Sequence, residues 1–291
     1  IGNNAFEGCT GLTSLTIGNN VCRIGDGAFD LCSNLTTITI PDSVTSIGEM
    51  AFDSCTRLTS IIMGKGLTSI GAYAFICTGL TSVVIPESVT NIGNFAFATC
   101  PDLTSVTIEG NVTNWGIAWF GYCPNLSNLN LGQKCSKIGE QAFAECTGLT
   151  SVVIPDSVTE IGNNAFEGCT GLTSLTIGTG VKSMWHAFGG CTGLTNLTLK
   201  NGLTYIGENW FSGLTGLTSV TIPDSVTGIG ENTFAYCSNL TSAYFCGNAP
   251  YIHSNSFYLC ASSFTVYYNE ESTGFTNPWY GYPTTIDTTG A

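Results

Sequence analysis

The sequence predicts an α/β solenoid: a right-handed superhelix of about 12 coils of 22–23 residues. A parallel β-sheet is expected on its concave face, with short helical turns or short strands on the convex side. Three observations carry this. Phenylalanine recurs at positions 6, 29, 52, 75, 97, 120, 143, 166, 188, 211, 234 and 257, so every interval is 22 or 23 residues. A fixed short period marks a fold in which each repeat contacts only its neighbours. A cysteine follows the phenylalanine by two or three positions in all but one case. Residues 1–18 recur unchanged as residues 161–178, so one local environment is rebuilt seven repeats later.

The best-kept unit, residues 149–170, reads L-T-S-V-V-I-P-D-S-V-T-E-I-G-N-N-A-F-E-G-C-T. In its opening L-x-x-L-x-I, seen at Leu12, Leu15 and Ile17, the last two apolar residues alternate with polar ones. That period of two is the sign of a strand with one buried face. Pro41, Pro86, Pro155 and Pro223, or Gly18, Gly64, Gly132 and Gly178, then stop the strand. A second short apolar pair follows, such as Val44 with Ile47 or Val158 with Ile161. Next comes Gly-x-x-Ala-Phe-x-x-Cys. There Ala51, Phe52 and Cys55 stand at i, i+1 and i+4, a spacing that predicts about one helical turn with a buried side. One coil cannot bury its own Leu, Val, Ile and Phe. Stacking coils at roughly 4.8 Å turns them into continuous ladders, each buried side chain contributing about 1.5–3 kcal/mol.

The L-x-x-L-x-I strand and the I-G-x-x-A-F-x-x-C return resemble the BspA-like leucine-rich repeats of bacterial and protist surface proteins. The resemblance covers residues 1–260, the expected repeat solenoid, and leaves residues 261–291 as a capping strand and irregular tail. It implies surface display or secretion and an interaction role, often adhesion to a host or neighbouring-cell protein or glycan. It carries over no catalytic residue and no cofactor.

Bulk composition agrees with a polar, uncharged surface. Charged residues are only 9% of the 291, and the net charge is −13. An acidic field repels phosphate backbones, which argues against nucleic acid. No apolar run approaches the roughly 18 residues of a membrane helix, so membrane insertion is not expected. The chain opens within a repeat and without a basic-then-apolar leader, which reads as part of something longer.

Eleven of fourteen cysteines share one repeat position by this count: Cys9, Cys32, Cys55, Cys77, Cys100, Cys123, Cys146, Cys169, Cys191, Cys237 and Cys260. A disulfide or metal array is one reading. A ladder of buried free thiols is the favoured one. Leu214 replaces the cysteine after Phe211, which packing tolerates and pairing does not, and no C-x-x-C occurs. Cys22, Cys135 and Cys246 lie off the ladder. The two histidines, His186 and His253, have no nucleophile or acid at motif spacing. Asp42, Glu87, Asp156 and Asp224 sit in strand-turns that are never adjacent, which supports neither a calcium ladder nor paired glycosidase acids. The N-x-[ST] matches at Asn34, Asn111, Asn196 and Asn239 read as by-products of the repeat. No metal, cofactor or catalytic residue is therefore expected, and the chain reads as a non-enzyme.

A ligand would meet the outward strand residues. Their central stripe runs Thr16, Thr39, Ile62, Val84, Thr107, Asn130, Val153, Thr176, Thr198, Thr221, Tyr244 and Tyr267, beside a parallel row of Ser, Thr and Asn. Departures from monotony mark the candidate ligand residues: Tyr244, Tyr267, Thr221, Thr198, Asn196 and Tyr251. The C-terminal aromatics, Trp279, Tyr280 and Tyr282 among them, equally read as a plug for the open end of the stack. Residues 264–268 read as one more strand, and 269–283 as irregular chain folding back. Trp115, Trp119, Trp185 and Trp210 break the outer pattern, which reads as irregular packing rather than an exposed patch. The expected function is a binding or adhesion module acting through the concave sheet. The alternative is a passive spacer holding another domain away from the cell surface.

Overall fold

A computed structural model describes residues 1–288 and divides into two compact units, Ile1–Leu149 and Thr150–Ala291. Each is a β-solenoid with two rows of short strands. In the first unit one row holds Thr37–Thr39 paired with Ser60–Ile62, then Ser82–Ile85, Ser105–Ile108 and Asn128–Asn130 in a three-stranded sheet. The other row is a five-stranded sheet of two-residue strands: Arg23–Ile24, Ser46–Ile47, Ser69–Ile70, Asn91–Ile92 and Asn114–Trp115. The second unit repeats the plan with Ser151–Val153, Ser174–Ile177 and Asn196–Leu199, then Ser219–Ile222, Ser242–Phe245, Thr265–Tyr268 and Thr284–Ile286. Its short row includes Tyr205–Ile206, Gly228–Ile229 and Tyr251–Ile252. Pairing is parallel and keeps the repeat register, as in Val83↔Val106 and Val220↔Ala243.

Two expectations are corrected. No helix forms among the described residues, so the chain is a β-solenoid and neither the α/β class nor the helical turns hold. The twelve phenylalanines bracket about 11 turns rather than 12. The reason for the missing helix is local. Residues two before and two after the phenylalanine adopt positive φ at every position but Asn255, as in Met50 (53°) and Ser54 (54°), or Gln141 (53°) and Glu145 (58°). A left-handed residue every fourth position cannot sit in a right-handed helix. The sequence does carry the signal, in Asn4, Gly27, Asn164, Asn209 and Asn232 before the ring and Gly8, Gly168, Gly190 and Gly213 after it. Asn and Gly are the residues that tolerate this region best.

These turns spend their backbone groups on the next coil. The N–H groups of Gly27, Phe29 and Leu31 donate to the carbonyls of Glu49, Ala51 and Asp53 at 2.8–2.9 Å. Threonine hydroxyls add a second ladder, Thr36 to the Thr13 carbonyl (3.2 Å) and Thr104 to that of Thr81 (3.0 Å). Inside the turns, the phenylalanines from Phe29 to Phe257 are fully buried. In the first unit Phe6, Phe29, Phe52, Phe75, Phe97, Phe120 and Phe143 stack ring on ring, with Phe29 to Phe52 at 5.2 Å and Phe52 to Phe75 at 5.0 Å. Each such pair is worth about 0.5–1.5 kcal/mol beyond its buried area.

The thiols have a more specific place than small hydrophobes. Cys32, Cys55, Cys146 and Cys237 donate to the carbonyls of Phe6, Phe29, Phe120 and Phe211, one coil back, at 3.1–3.2 Å. Burial pushes Cys55, Cys146 and Cys237 up to about 12, so they remain protonated donors at neutral pH. One membership is corrected. In the shortened turn after Phe75 it is Thr78 that is buried, donating to the Phe75 carbonyl (2.9 Å) and lying 3.2 Å from the Cys100 sulfur. Cys77 is displaced to a half-buried turn position with φ 56°.

The tail caps the core. Trp279 is buried against Phe245 and Phe275, at ring distances of 5.3 and 4.9 Å. Tyr282 stands edge-on to Phe257 and Phe264. The expected strand at 264–268 is present as Thr265–Tyr268, but a further strand, Thr284–Ile286, pairs with it where only irregular chain was expected. The last three residues of the expected tail lie outside the described residues. Of the four outer tryptophans, Trp119 is fully buried and stacks on Trp115 at 3.8 Å, Trp210 is buried, and Trp185 is exposed.

At Gly71, after the short strand Ser69–Ile70, stacking leaves no room for a side chain. A Cβ on Gly71 would lie 2.5 Å from the Glu49 nitrogen and the Gly48 carbonyl carbon. Gly71→Ala should therefore destabilise the protein by about 1–3 kcal/mol, read as a lowered urea midpoint; an unchanged midpoint would refute the close approach. Unfolded in the absence of reductant, the chain should titrate more than about ten reduced thiols. In the native state the exposed Cys9, Cys22 and Cys246 should alkylate first, and buried Cys55 and Cys146 last.

Candidate functional site

The outward stripe is present where the alternation places it. In the four-stranded sheet of the second unit, Val220, Ala243 and Val266 are buried, while Thr221, Tyr244 and Tyr267 stand in register on the opposite face. The next strand adds Thr285 to that line. Tyr244 and Tyr267, both half-buried, stack at 4.8 Å with 19° between their planes. Neighbouring outward residues on adjacent parallel strands are about 4.8 Å apart, so two consecutive tyrosines meet face to face as a stacked pair. Behind it Phe245 is pinned by Trp279 and Phe275, which holds the strand carrying Tyr244.

The six candidate ligand residues do not gather at one place. Thr221, Tyr244 and Tyr267 share one sheet. Thr198 and Asn196, both exposed, lie on Asn196–Leu199 in the adjoining three-stranded sheet, with Thr198 opposite Thr176. Tyr251 belongs to the short row, in the sheet with Gly228 and Tyr205. Thr285 was missed in the sequence because Thr284–Ile286 buries a threonine where the other strands of its sheet bury Val220, Ala243 and Val266.

In the first unit the strand face carries exposed Ile62 and Val84 between rows of hydroxyls. Two grooves of about 720 and 710 Å³ follow the ends of these strands, with Lys65 bordering both. Their carboxylates act as staples. Asp42 accepts the Lys65 N–H at 2.7 Å, and Lys134, from two coils on, reaches Glu87 at 2.7 Å. Asp156 in the second unit does both jobs, accepting the Thr179 N–H (3.0 Å) and the Lys200 ammonium (3.0 and 3.1 Å). The Thr179 N–H first, then Lys200, hold its carboxyl below the ordinary value of 3.8.

Among the described residues no group of three or more His, Cys, Asp or Glu is arranged to hold a metal ion. His253 lies 4.0 Å from Glu231, a pairing that stacking creates from residues 22 apart in sequence, and its Nδ1 accepts the Asn255 N–H. His186 sits edge-on to Trp185. Asn34 and Asn239, in two of the N-x-[ST] matches, donate their side-chain amides to the Thr10 and Thr215 carbonyls of the preceding coil. No helix of the described residues is long and apolar enough to cross a membrane.

Comparison with known proteins agrees with this geometry. The profile described as BspA type Leucine rich repeat region (6 copies) matches residues 1–127, 115–186 and 184–282. A leucine-rich repeat protein from Bacteroides ovatus is similar at 30% identity over 99% of this chain and 87% of its own, with a TM-score of 0.55. A leucine rich cell surface protein from Faecalibacterium prausnitzii shares 26% identity over 99% and 79%, with a TM-score of 0.41. The pneumococcal vaccine antigen PcpA shares 18% over 96% and 83%, with a TM-score of 0.43. No curated protein sequence matches the chain.

Because the Asp156 carboxylate is stabilised in the folded state, its contribution is present above the unfolded value near 3.8 and is lost as pH falls through the lower folded value. Asp156→Asn should flatten the dependence of the urea midpoint on pH in that acid range. Equal slopes for variant and parent would show that the staple carries no such linkage.

Proposed function

The chain belongs to the BspA-type leucine-rich repeat family, and from that premise we propose that it is a non-enzymatic, cell-surface or secreted binding module that engages a protein or glycan through its strand face. The observation that supports this most is the outward row itself. It is uncharged along Thr198, Thr221, Tyr244 and Tyr267, rich in hydroxyls, and carries a stacked tyrosine pair. Tyrosine combines large contact area with few rotatable bonds and a polar tip, which is why it dominates binding hot spots. The Phe245 packing holds the strand that carries Tyr244, which lowers the ordering cost of binding. The acidic turn residue Asp224, after Ser219–Ile222 of the same sheet, disfavours an anionic partner.

The second reading is a spacer. It draws on the same regularity: coils whose outward residues serve mainly strand packing give length and stiffness without recognition. Screening the purified protein against extracellular-matrix proteins and a glycan array separates the two. Binding to a defined partner, weakened about tenfold or more (~1.4 kcal/mol or more) by Tyr244→Ala with Tyr267→Ala, would support the binding module. A folded protein that binds nothing in either screen would favour the spacer.

A further inference from the structure

Among the described residues nineteen other than glycine have positive φ, and all but one of them lie two positions before or after a repeat phenylalanine. The exception is Tyr280, at φ 51°, followed by Gly281 at φ 90°. These two residues form the tip of a tight hairpin closed by reciprocal bonds between Trp279 and Tyr282 at 3.0 and 2.9 Å. Two consecutive positive φ values fit the turn that normally favours Asn-Gly. A tyrosine there costs backbone strain, and no repeat geometry demands it. At this tip the Tyr280 ring is 46% exposed.

Opposite stands Tyr251, at 68% exposure the most exposed of the large apolar side chains. The two rings cross at 86° with centroids 6.4 Å apart. Trp279 meets Tyr280 edge-on at 5.3 Å and is itself wedged against Phe245 and Phe275, so one wall of the corner is fixed. The shallow, open cleft they form holds about 470 Å³, and Ala249, Pro250, Gly274 and Thr276 complete its lining without a charged group. Among the described residues neither the Tyr251 nor the Tyr280 hydroxyl makes a hydrogen bond within the protein.

We propose that this cleft is a binding site for a neutral saccharide of one or two pyranose rings. A pyranose has an apolar C–H face and a rim of hydroxyls. The cleft offers aromatic walls for the face and two unengaged phenols for the rim. Its neutrality, in a chain of net charge −13, suits an uncharged ligand and disfavours an anionic one. Its small volume suits a compact ligand better than a polyproline peptide, which docks along an extended groove. This site is separate from the strand face and stands or falls independently of it.

Saturation-transfer NMR and calorimetry with glucose, galactose, N-acetylglucosamine, maltose and cellobiose test it, with sialic acid and a decaproline peptide as contrasts. Saturable binding of at least one neutral sugar is expected, weakened tenfold or more by Tyr251→Ala and by Tyr280→Gly. Glycine suits the positive φ at 280, so that variant removes the ring and keeps the turn. The proposal is overturned if none of the neutral sugars binds, if both variants bind as the parent does, or if only decaproline or sialic acid binds.

Discussion

The constraint on which the rest depends is the closeness of one coil to the next along the whole circuit, turns included. In an ordinary parallel sheet only the strands run at hydrogen-bonding distance, and the connections wander. Here the phenylalanine turns are bonded coil to coil as tightly as the strands, through N–H groups such as those of Gly27, Phe29 and Leu31. Backbone polar groups buried without partners would cost far more than the turns' left-handed residues do. The glycine at the Gly71 position, the ring stack and the thiol donors are all consequences of that spacing.

The same closeness explains which residues vary. Inward positions accept little change, since each side chain must match copies above and below it. The Cys-to-Thr replacement at Thr78 keeps a small hydrogen-bonding group in the ladder. Leu214 gives up the bond and keeps the burial. Outward positions are free of this demand, so they hold whatever a partner or solubility requires. At half of the central row that is Thr; at Tyr244 and Tyr267 it is a stacked pair. Where the repeat stops, the tail supplies the aromatic groups that cover the core, and its hairpin tip places Tyr280 beside Tyr251.

Much of this was legible because repetition turns one-dimensional spacing into three-dimensional register. Once Val220 and Ala243 are known to be a repeat apart, their pairing follows, and so does the outward line through Thr221, Tyr244 and Tyr267. The helical turn was misread because Ala51, Phe52 and Cys55 have a spacing that a helix and a pair of tight turns both satisfy. Only the recurrent Asn and Gly at the flanking positions distinguish the two. Cys77 was misplaced because a one-residue deletion can be absorbed on either side of the cysteine, and packing chose the side that buries Thr78.

By itself the sequence determined the solenoid, its period, the buried ladders and the identity of the outward face, since each follows from side-chain spacing repeated at a fixed interval. Tertiary structure alone decided what lies beyond the repeat: the extra strand Thr284–Ile286, the wedge of Trp279, and the meeting of Tyr251 with Tyr280. The tail has no copy of itself to stack on, so its path is set by which aromatic surfaces it covers and which turns it closes. No spacing along the chain records that.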